Sequence, residues 1–131
     1  MRIKQLLIGI TASVIAISSY VEIAVADLKF PMLVYRTGAY APNGIPNADG
    51  FVDYYKMINA RDGGIGGEKI FHPECETGYK TQVGVECYEK NKKDAMVFQP
   101  MSTGITYQLI PKATADGVTV YSTGYGRTSA A

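Results

Sequence analysis

Short apolar runs alternate with segments of helical period along most of the chain, and this alternation constrains the fold more than any other feature. Four runs have the length of a strand, at 31–35, 69–72, 95–98 and 118–121. Three helical segments lie between them, at about 47–61, 80–92 and 105–115. The order is β-α-β-α-β-α-β, which predicts an α/β fold: a parallel open sheet with right-handed crossovers and helices on both faces.

The ends of the helices follow from their flanking residues. Residues 36–46 are rich in Gly, Pro, Asn and Ala, so we expect a loop there and a first helix capped by Asn47 or Asp49. The glycines of 62–67 end this helix; a dinucleotide-binding loop is excluded because such a loop follows a strand and opens a helix. Pro111 is expected to kink or split the third helix, because proline has no backbone N–H.

An open parallel sheet binds its ligands beyond the carboxyl ends of the strands. The loops at that edge are predicted at 36–46, 74–78, 99–104 and 122–127. In the third of these loops, the hydroxyls of Ser102 and Thr103 lie beside the unpaired N–H groups of the third helix, which suit a carboxylate or carbonyl oxygen. Capping of the helix by either hydroxyl is the alternative, and the two roles are compatible.

Tyrosine is abundant, with 10 residues in the chain. Tyr40 and Tyr125 fall in loops at the predicted ligand edge, where a ring with one polar end suits a small-molecule pocket. Tyr54 and Tyr55 lie on the apolar face of the first helix, so we expect both rings to belong to the core.

The N-terminus has the parts of a secretory signal peptide. A short basic segment precedes an uncharged apolar run at 6–17, and the sequence Ala24-Val25-Ala26 has small residues where a signal peptidase needs them. We predict that residues 1–26 are removed and that the chain is exported. A retained membrane anchor is the alternative, but the run has about a dozen residues whereas a span needs roughly 20.

An exported chain with two cysteines is expected to oxidise them, so we predict a disulfide between Cys75 and Cys87. Together with His72, these residues are also candidates for part of a zinc site or for a Cys–His nucleophile pair. A structural zinc site needs four ligands and the chain has one histidine, so no metal is expected. A nucleophile would need a free, activated thiol, which an oxidised pair does not supply.

Length and charge limit the remaining classes. A chain of 131 residues allows one small domain at most. The net charge is +1 and no basic patch stands out, so we expect no nucleic-acid partner.

Four stretches, at 33–44, 59–67, 102–107 and 122–127, together resemble a known family. They are similar to the N-terminal lobe of the leucine-binding-protein-like substrate-binding proteins of bacterial ABC transporters. The resemblance implies a type I periplasmic binding protein fold, with two α/β lobes that close on a ligand about a hinge. It also implies a monomeric periplasmic protein without cofactor or catalysis, which binds branched-chain amino acids, amides or similar solutes for an ABC permease.

The resemblance assigns ligand contacts to particular residues. In the family, the loop after strand three binds the ligand carboxylate, which places Ser102 and Thr103 there, and the loop after strand one contributes Tyr40 and Asn43. The loop after strand four has the sequence Gly124-Tyr125-Gly126-Arg127. The resemblance places Gly124 and Tyr125 of this loop at the ligand. The hydroxyl that the family usually has two positions after the small residue is missing from this loop, so an ordinary leucine-type ligand is not expected.

The family's second lobe is not part of this sequence, and we expect it to be encoded beyond Ala131. We therefore expect weak or no solute binding by residues 27–131 alone. Two other functions remain as alternatives: a receptor-type sensor built on the same lobe, and an exported enzyme that uses His72 with a free Cys75.

Overall fold

The computed structural model describes residues 27–123. Its strands are β1 (Leu28–Lys29), β2 (Met32–Val34), β3 (Ile70–Phe71), β4 (Glu74–Glu76), β5 (Val97–Pro100) and β6 (Thr119–Val120). Its helices are α1 (Ala41–Arg61), α2 (Thr81–Asn91) and α3 (Thr103–Asp116). Every strand pair among them is parallel. The predicted signal peptide and the predicted contacts Gly124 and Tyr125 lie outside the described residues.

The six strands form one parallel arrangement that is four strands wide, because β1 continues into β2 and β3 continues into β4. β1 pairs with β3, and the other strands have the order β4-β2-β5-β6. Pro31 separates β1 from β2 and Pro73 separates β3 from β4, because a proline cannot donate to the ladder. Hydrogen bonds continue across these breaks, since the N–H of Met32 donates to the carbonyl of Pro73 at 2.9 Å. The predicted parallel sheet is confirmed, and the structure adds that the second strand along the chain lies outside the first.

Helices cover both faces of the sheet, as the sequence predicts. Met32 and Val34 face α1 and pack in one apolar cluster with Ala48 and Tyr55. Leu33, between them, points to the opposite face. It packs there in a second cluster with residues of β5, α2 and α3: Cys87, Tyr88, Phe98, Ile105, Leu109 and Ala113.

The start of the first helix is predicted wrongly. α1 begins at Ala41, with Tyr40 as its N-cap, so Asn47 and Asp49 lie inside the helix and do not cap it. Pro42 occupies the first turn, where a missing N–H costs nothing because the first N–H groups have no partner within the helix. The predicted loop 36–46 is therefore only five residues long.

Three further boundaries differ from the prediction. β4 continues the second strand into 74–76, a segment that the sequence predicts as loop because its glutamates give no apolar signal. β4 is an edge strand, so these glutamates can be exposed to solvent. The third strand is found two residues later than expected, at Val97–Pro100. α3 is one helix through Pro111, which lies on its exposed side, so the predicted split is wrong.

A disulfide joins the edge of the sheet to a helix. It links Cys75 in β4 to Cys87 in α2, with their Cα atoms 5.9 Å apart. The predicted disulfide is therefore present.

Among residues 27–123, no helix is long and apolar enough to cross a membrane.

Candidate functional site

The carboxyl ends of the strands bring three connecting segments together. A β-carbon built at Gly38, after β2, would lie 3.6 Å from the carbonyl oxygen of Gly78, after β4. A β-carbon built at Gly104, after β5, would lie 3.2 Å from Oγ1 of Thr81. The segments after β2 and β4 therefore approach each other, as do the first turns of α2 and α3, at the edge where an open parallel sheet places its ligands.

Three tyrosines form a cluster at this edge. The ring of Tyr79 lies 4.8 Å from that of Tyr35 and 4.4 Å from that of Tyr40, centroid to centroid. Tyr35 is buried, whereas Tyr40 is 53% exposed and Tyr79 is 37% exposed. We call Tyr35, Tyr40 and Tyr79 the tyrosine cluster; it has a buried base and two accessible rings.

Tyr79 is held in an uncommon backbone conformation. Its φ of +64° is in the left-handed region, which costs a residue with a β-carbon about 1–2 kcal/mol. Thr77 holds this turn: its hydroxyl donates to the carbonyl of Val34 at 2.7 Å and accepts the N–H of Tyr79 at 3.3 Å. Its carbonyl accepts the N–H of Lys80 at 2.9 Å. The turn thus ties Tyr79 to the end of β2.

The tyrosine cluster opens onto a cleft of about 580 Å³. Six residues line the cleft: Tyr35, Tyr40, Asn43, Pro46, Asn47 and Tyr79. Tyr40 and Asn43, both expected at the ligand edge, come together here, although their contact with a solute stays a prediction. The other four residues are not predicted from the sequence. The sequence predicts Pro46 in a loop and Asn47 at a helix cap, whereas in the helix Asn43 and Asn47 share one face at a spacing of four; Tyr35 and Tyr79 join the cleft through tertiary contacts.

Ser102 and Thr103 lie at the same edge but outside the lining of that cleft. Ser102 is 2% exposed, and its Oγ accepts the N–H of Ile105 at 3.5 Å, which is a helix cap. Its carbonyl accepts both the N–H and the hydroxyl of Thr106, each at 2.9 Å. Among the described contacts, Ser102 therefore caps α3, and Thr103 is the partly exposed first residue of that helix.

Arg36 joins the edge strand to α1. Its guanidinium donates to both carboxylate oxygens of Glu74, at 2.6 and 2.8 Å, and to Asp49 at 2.6 Å. The hydrogen bonds from Arg36 to Glu74 and then to Asp49 raise the pKa of the guanidinium, so it stays charged. The start of the first connecting segment is thereby fixed to β4 and to α1.

Glu76 holds the first and second connecting segments together. Its carboxylate accepts the N–H groups of Arg36 and Gly78, each at 2.7 Å, and the hydroxyl of Thr37 at 3.1 Å. Burial acts to raise the pKa of Glu76, but these hydrogen bonds outweigh it and the pKa is lowered. The carboxylate is therefore ionised at neutral pH and positions the turn that leads to Tyr79.

The cysteines and His72 do not form a catalytic pair. Cys75 is bonded to Cys87, so the free thiol that the enzyme hypothesis requires is absent from the described residues. His72 stacks near Tyr55, with ring centroids 5.5 Å apart, and its Nδ1 has no partner among residues 27–123. No group of three potential metal ligands occurs in that part of the chain.

Solved structures similar to this chain are transport proteins. An ABC transporter permease from the Pseudomonas fluorescens group is 39% identical, with a TM-score of 0.72 over 78% of this chain and 26% of its own. The branched-chain amino acid transporter substrate-binding protein of Streptococcus pneumoniae, solved with isoleucine, is 22% identical, with a TM-score of 0.65 over 73% of this chain and 28% of its own. A solute-binding protein of R. palustris, solved with benzoate, is 21% identical, with a TM-score of 0.59 over 73% and 27%.

The chain spans about a quarter of the length of these solved proteins. No curated protein matches it significantly. The family model described as periplasmic binding protein matches residues 27–131, which is most of the chain. This match and the parallel fold confirm the family resemblance, and the chain belongs to the periplasmic binding proteins, a family of solute-binding proteins.

Proposed function

We propose that the chain is the solute-recognising lobe of a periplasmic component of an ABC importer. The solutes are branched-chain amino acids, amides or similar small molecules. The observation that carries the proposal is the cleft of about 580 Å³ at the carboxyl edge of the sheet, in a chain whose family binds solutes. A membrane permease is the expected partner, and the protein is expected to act as a monomer without a cofactor.

The composition of the edge supports a small solute. The cleft combines accessible tyrosine rings with two carboxamides, and such mixed apolar and polar linings are typical of small-molecule sites. The solved neighbours bind isoleucine in one case and benzoate in another, so related folds accept both aliphatic and aromatic carboxylates. In our proposal Thr103 and the amides that follow Ser102 lie next to the solute, and Tyr40 and Asn43 contact it directly.

Uptake measurements test the transport role. Deleting the gene is expected to abolish uptake of at least one labelled solute from a panel of branched-chain amino acids, short amides and aromatic acids. Restoring the gene in full should restore that uptake, whereas a gene without codons 2–26 should not. Unchanged uptake of the whole panel, with the protein present in the parent cells, would contradict the proposal.

Export has a separate readout. We expect the protein released by osmotic shock to begin at Asp27, because the small residues of Ala24-Val25-Ala26 precede it. N-terminal sequencing of the released protein checks this. A product that keeps residues 1–26 and sediments with membranes would favour the anchor instead.

A further inference from the structure

We propose that the cleft at the tyrosine cluster selects a solute with a planar aromatic ring and a hydrogen-bonding substituent over a saturated solute of the same size. This inference rests on the proposed solute-binding function and narrows it to one chemical class. Three independent observations carry it: the arrangement of the rings, the backbone conformation of Tyr79, and the two carboxamides of α1.

The three rings of the tyrosine cluster contact one another in sequence, from the buried Tyr35 through Tyr79 to the exposed Tyr40. Tyr35 meets Tyr79 edge to face, at an interplanar angle of 84°, which fixes Tyr79 from below. Tyr40 lies over Tyr79 at 34° and remains 53% exposed. A further planar ring extends this arrangement with offset contacts that a saturated ring cannot make, because it has no π-face.

The backbone at Tyr79 indicates that its ring matters. A residue with positive φ is usually Gly, Asn or Asp, which adopt it at little cost. The preceding Gly78 has a φ of +54°, as such turns require, but position 79 has a tyrosine at +64°. The ring is 37% exposed, so core packing alone does not account for the strain. Strained residues of this kind are concentrated at ligand-binding sites.

The polar groups of the cleft are carboxamides. Asn43 and Asn47 lie one turn apart on α1, and neither side chain is paired with another residue of the 27–123 range. Each amide offers both donors and an acceptor, so the pair suits a hydroxyl or carboxamide substituent. Within residues 27–123, no charged side chain lines the cleft, and Arg36 and Asp49 form an ion pair at 2.6 Å.

Benzamide and cyclohexanecarboxamide are matched probes for this inference. They carry the same amide on rings of the same carbon number, and they differ in planarity. Dissociation constants measured by ligand-observed NMR on the purified full chain should favour benzamide by about threefold or more, as expected for one added aromatic contact. Tyr40→Leu should remove this preference. Tyr54→Leu is the control and should retain the preference. Tyr54 is 55% exposed, much as Tyr40 is, and lies on α1, which Tyr40 caps, but it does not line the cleft.

Tyr79→Asn is a second variant. Asparagine adopts positive φ readily, which offsets stability lost with the ring contacts to Tyr35 and Tyr40. This variant should unfold at about the urea concentration of the wild type and yet lose the preference for benzamide. Equal affinity of the two probes for the wild-type chain would overturn the inference. So would a preference that survives in Tyr40→Leu and Tyr79→Asn.

Isoleucine and isovaleramide separate this inference from the proposed function. If they bind while benzamide does not, the aromatic class is wrong and the solute-binding role stands. If no probe binds up to its solubility limit, the inference is overturned, because it requires benzamide to bind this chain measurably; the transport role is then judged by the uptake measurements alone.

Discussion

A β-carbon at Gly44 would lie 1.9 Å from the carbonyl oxygen of Tyr35 and 2.4 Å from its ring. The first turns of α1 therefore cross the end of β2 at a distance that only glycine permits. This contact places Tyr40 and Asn43 beside the base of the tyrosine cluster, so the helix start and the cleft depend on one another.

Replacing Gly44 by alanine should move α1 away from Tyr35. We expect Gly44→Ala to lower the free energy of unfolding by about 3 kcal/mol, since backbone atoms cannot yield to the added methyl group. Gly50→Ala is the matched control in the same helix, because nothing lies within 4 Å of its β-carbon. It should raise stability by up to about 1 kcal/mol through helix propensity. Urea unfolding followed by circular dichroism measures both, and equal midpoints for the two variants would contradict the close contact.

The disulfide should contribute substantially to stability. It closes a loop with a sequence separation of 12, and the loss of chain entropy predicts a contribution of about 3 kcal/mol. Reduction should lower the urea midpoint of the wild-type chain and leave that of the double variant Cys75→Ala, Cys87→Ala unchanged. Thiol titration of the unreduced, denatured protein is expected to find no free thiol. Two titrating thiols would revive the hypothesis of an enzyme with a free Cys75.

Glu76 should make the fold sensitive to acid. Its pKa is lower in the folded chain than its ordinary value, so its stabilisation is fully present above the ordinary carboxyl pKa and is lost as the pH falls through the lowered value. Glu76→Gln should therefore lower stability at neutral pH and flatten the loss of stability between neutral and acidic solution. Urea midpoints across that range measure this dependence.

The matched control for Glu76 is Glu86→Gln. The Glu86 carboxylate accepts a hydrogen bond from Gln82 within α2 and does not hold a loop of the ligand edge. Glu86→Gln should leave the pH dependence of the urea midpoint close to that of the wild type. The role given to Glu76 is wrong if Glu76→Gln and the wild-type chain lose stability in parallel.

Affinity should be weak for this chain alone. It spans about a quarter of the length of its solved relatives, so residues 27–131 supply only part of the surface that those proteins have. We expect calorimetry with leucine, valine and short amides to show binding weaker than micromolar. Micromolar affinity would mean that the cleft is complete without further protein.

The sheet could be predicted from the sequence because its central strands are apolar on both faces. Met32, Leu33 and Val34 are all buried, and such runs are distinctive in a parallel sheet. β4 could not be predicted in this way, since its alternate residues Glu74 and Glu76 are exposed and resemble a loop. Its assignment depends on pairing with β2, which local sequence does not reveal.

The candidate site was predicted less completely than the sheet. The sequence predicts Tyr40 at the edge because it follows the first strand. It predicts Asn47 as a cap, since Pro42 and Gly44 are typical of a loop. Gly44 lies inside α1 because the helix packs closely on Tyr35 there, and this tertiary contact cannot be read from the local sequence. Tyr54 was expected in the core with Tyr55 and is exposed, because α1 turns it away from the sheet.

The most direct test of the account is to map which backbone amides respond to solute. The ¹⁵N-labelled chain is titrated with branched-chain amino acids, short amides and benzamide, and amide shifts are followed by NMR. We predict that the responding amides lie in 36–47, 77–81 and 101–104, at the carboxyl edge of the parallel strands. Shifts confined to the opposite edge, around Lys92 and Asp116, would contradict it.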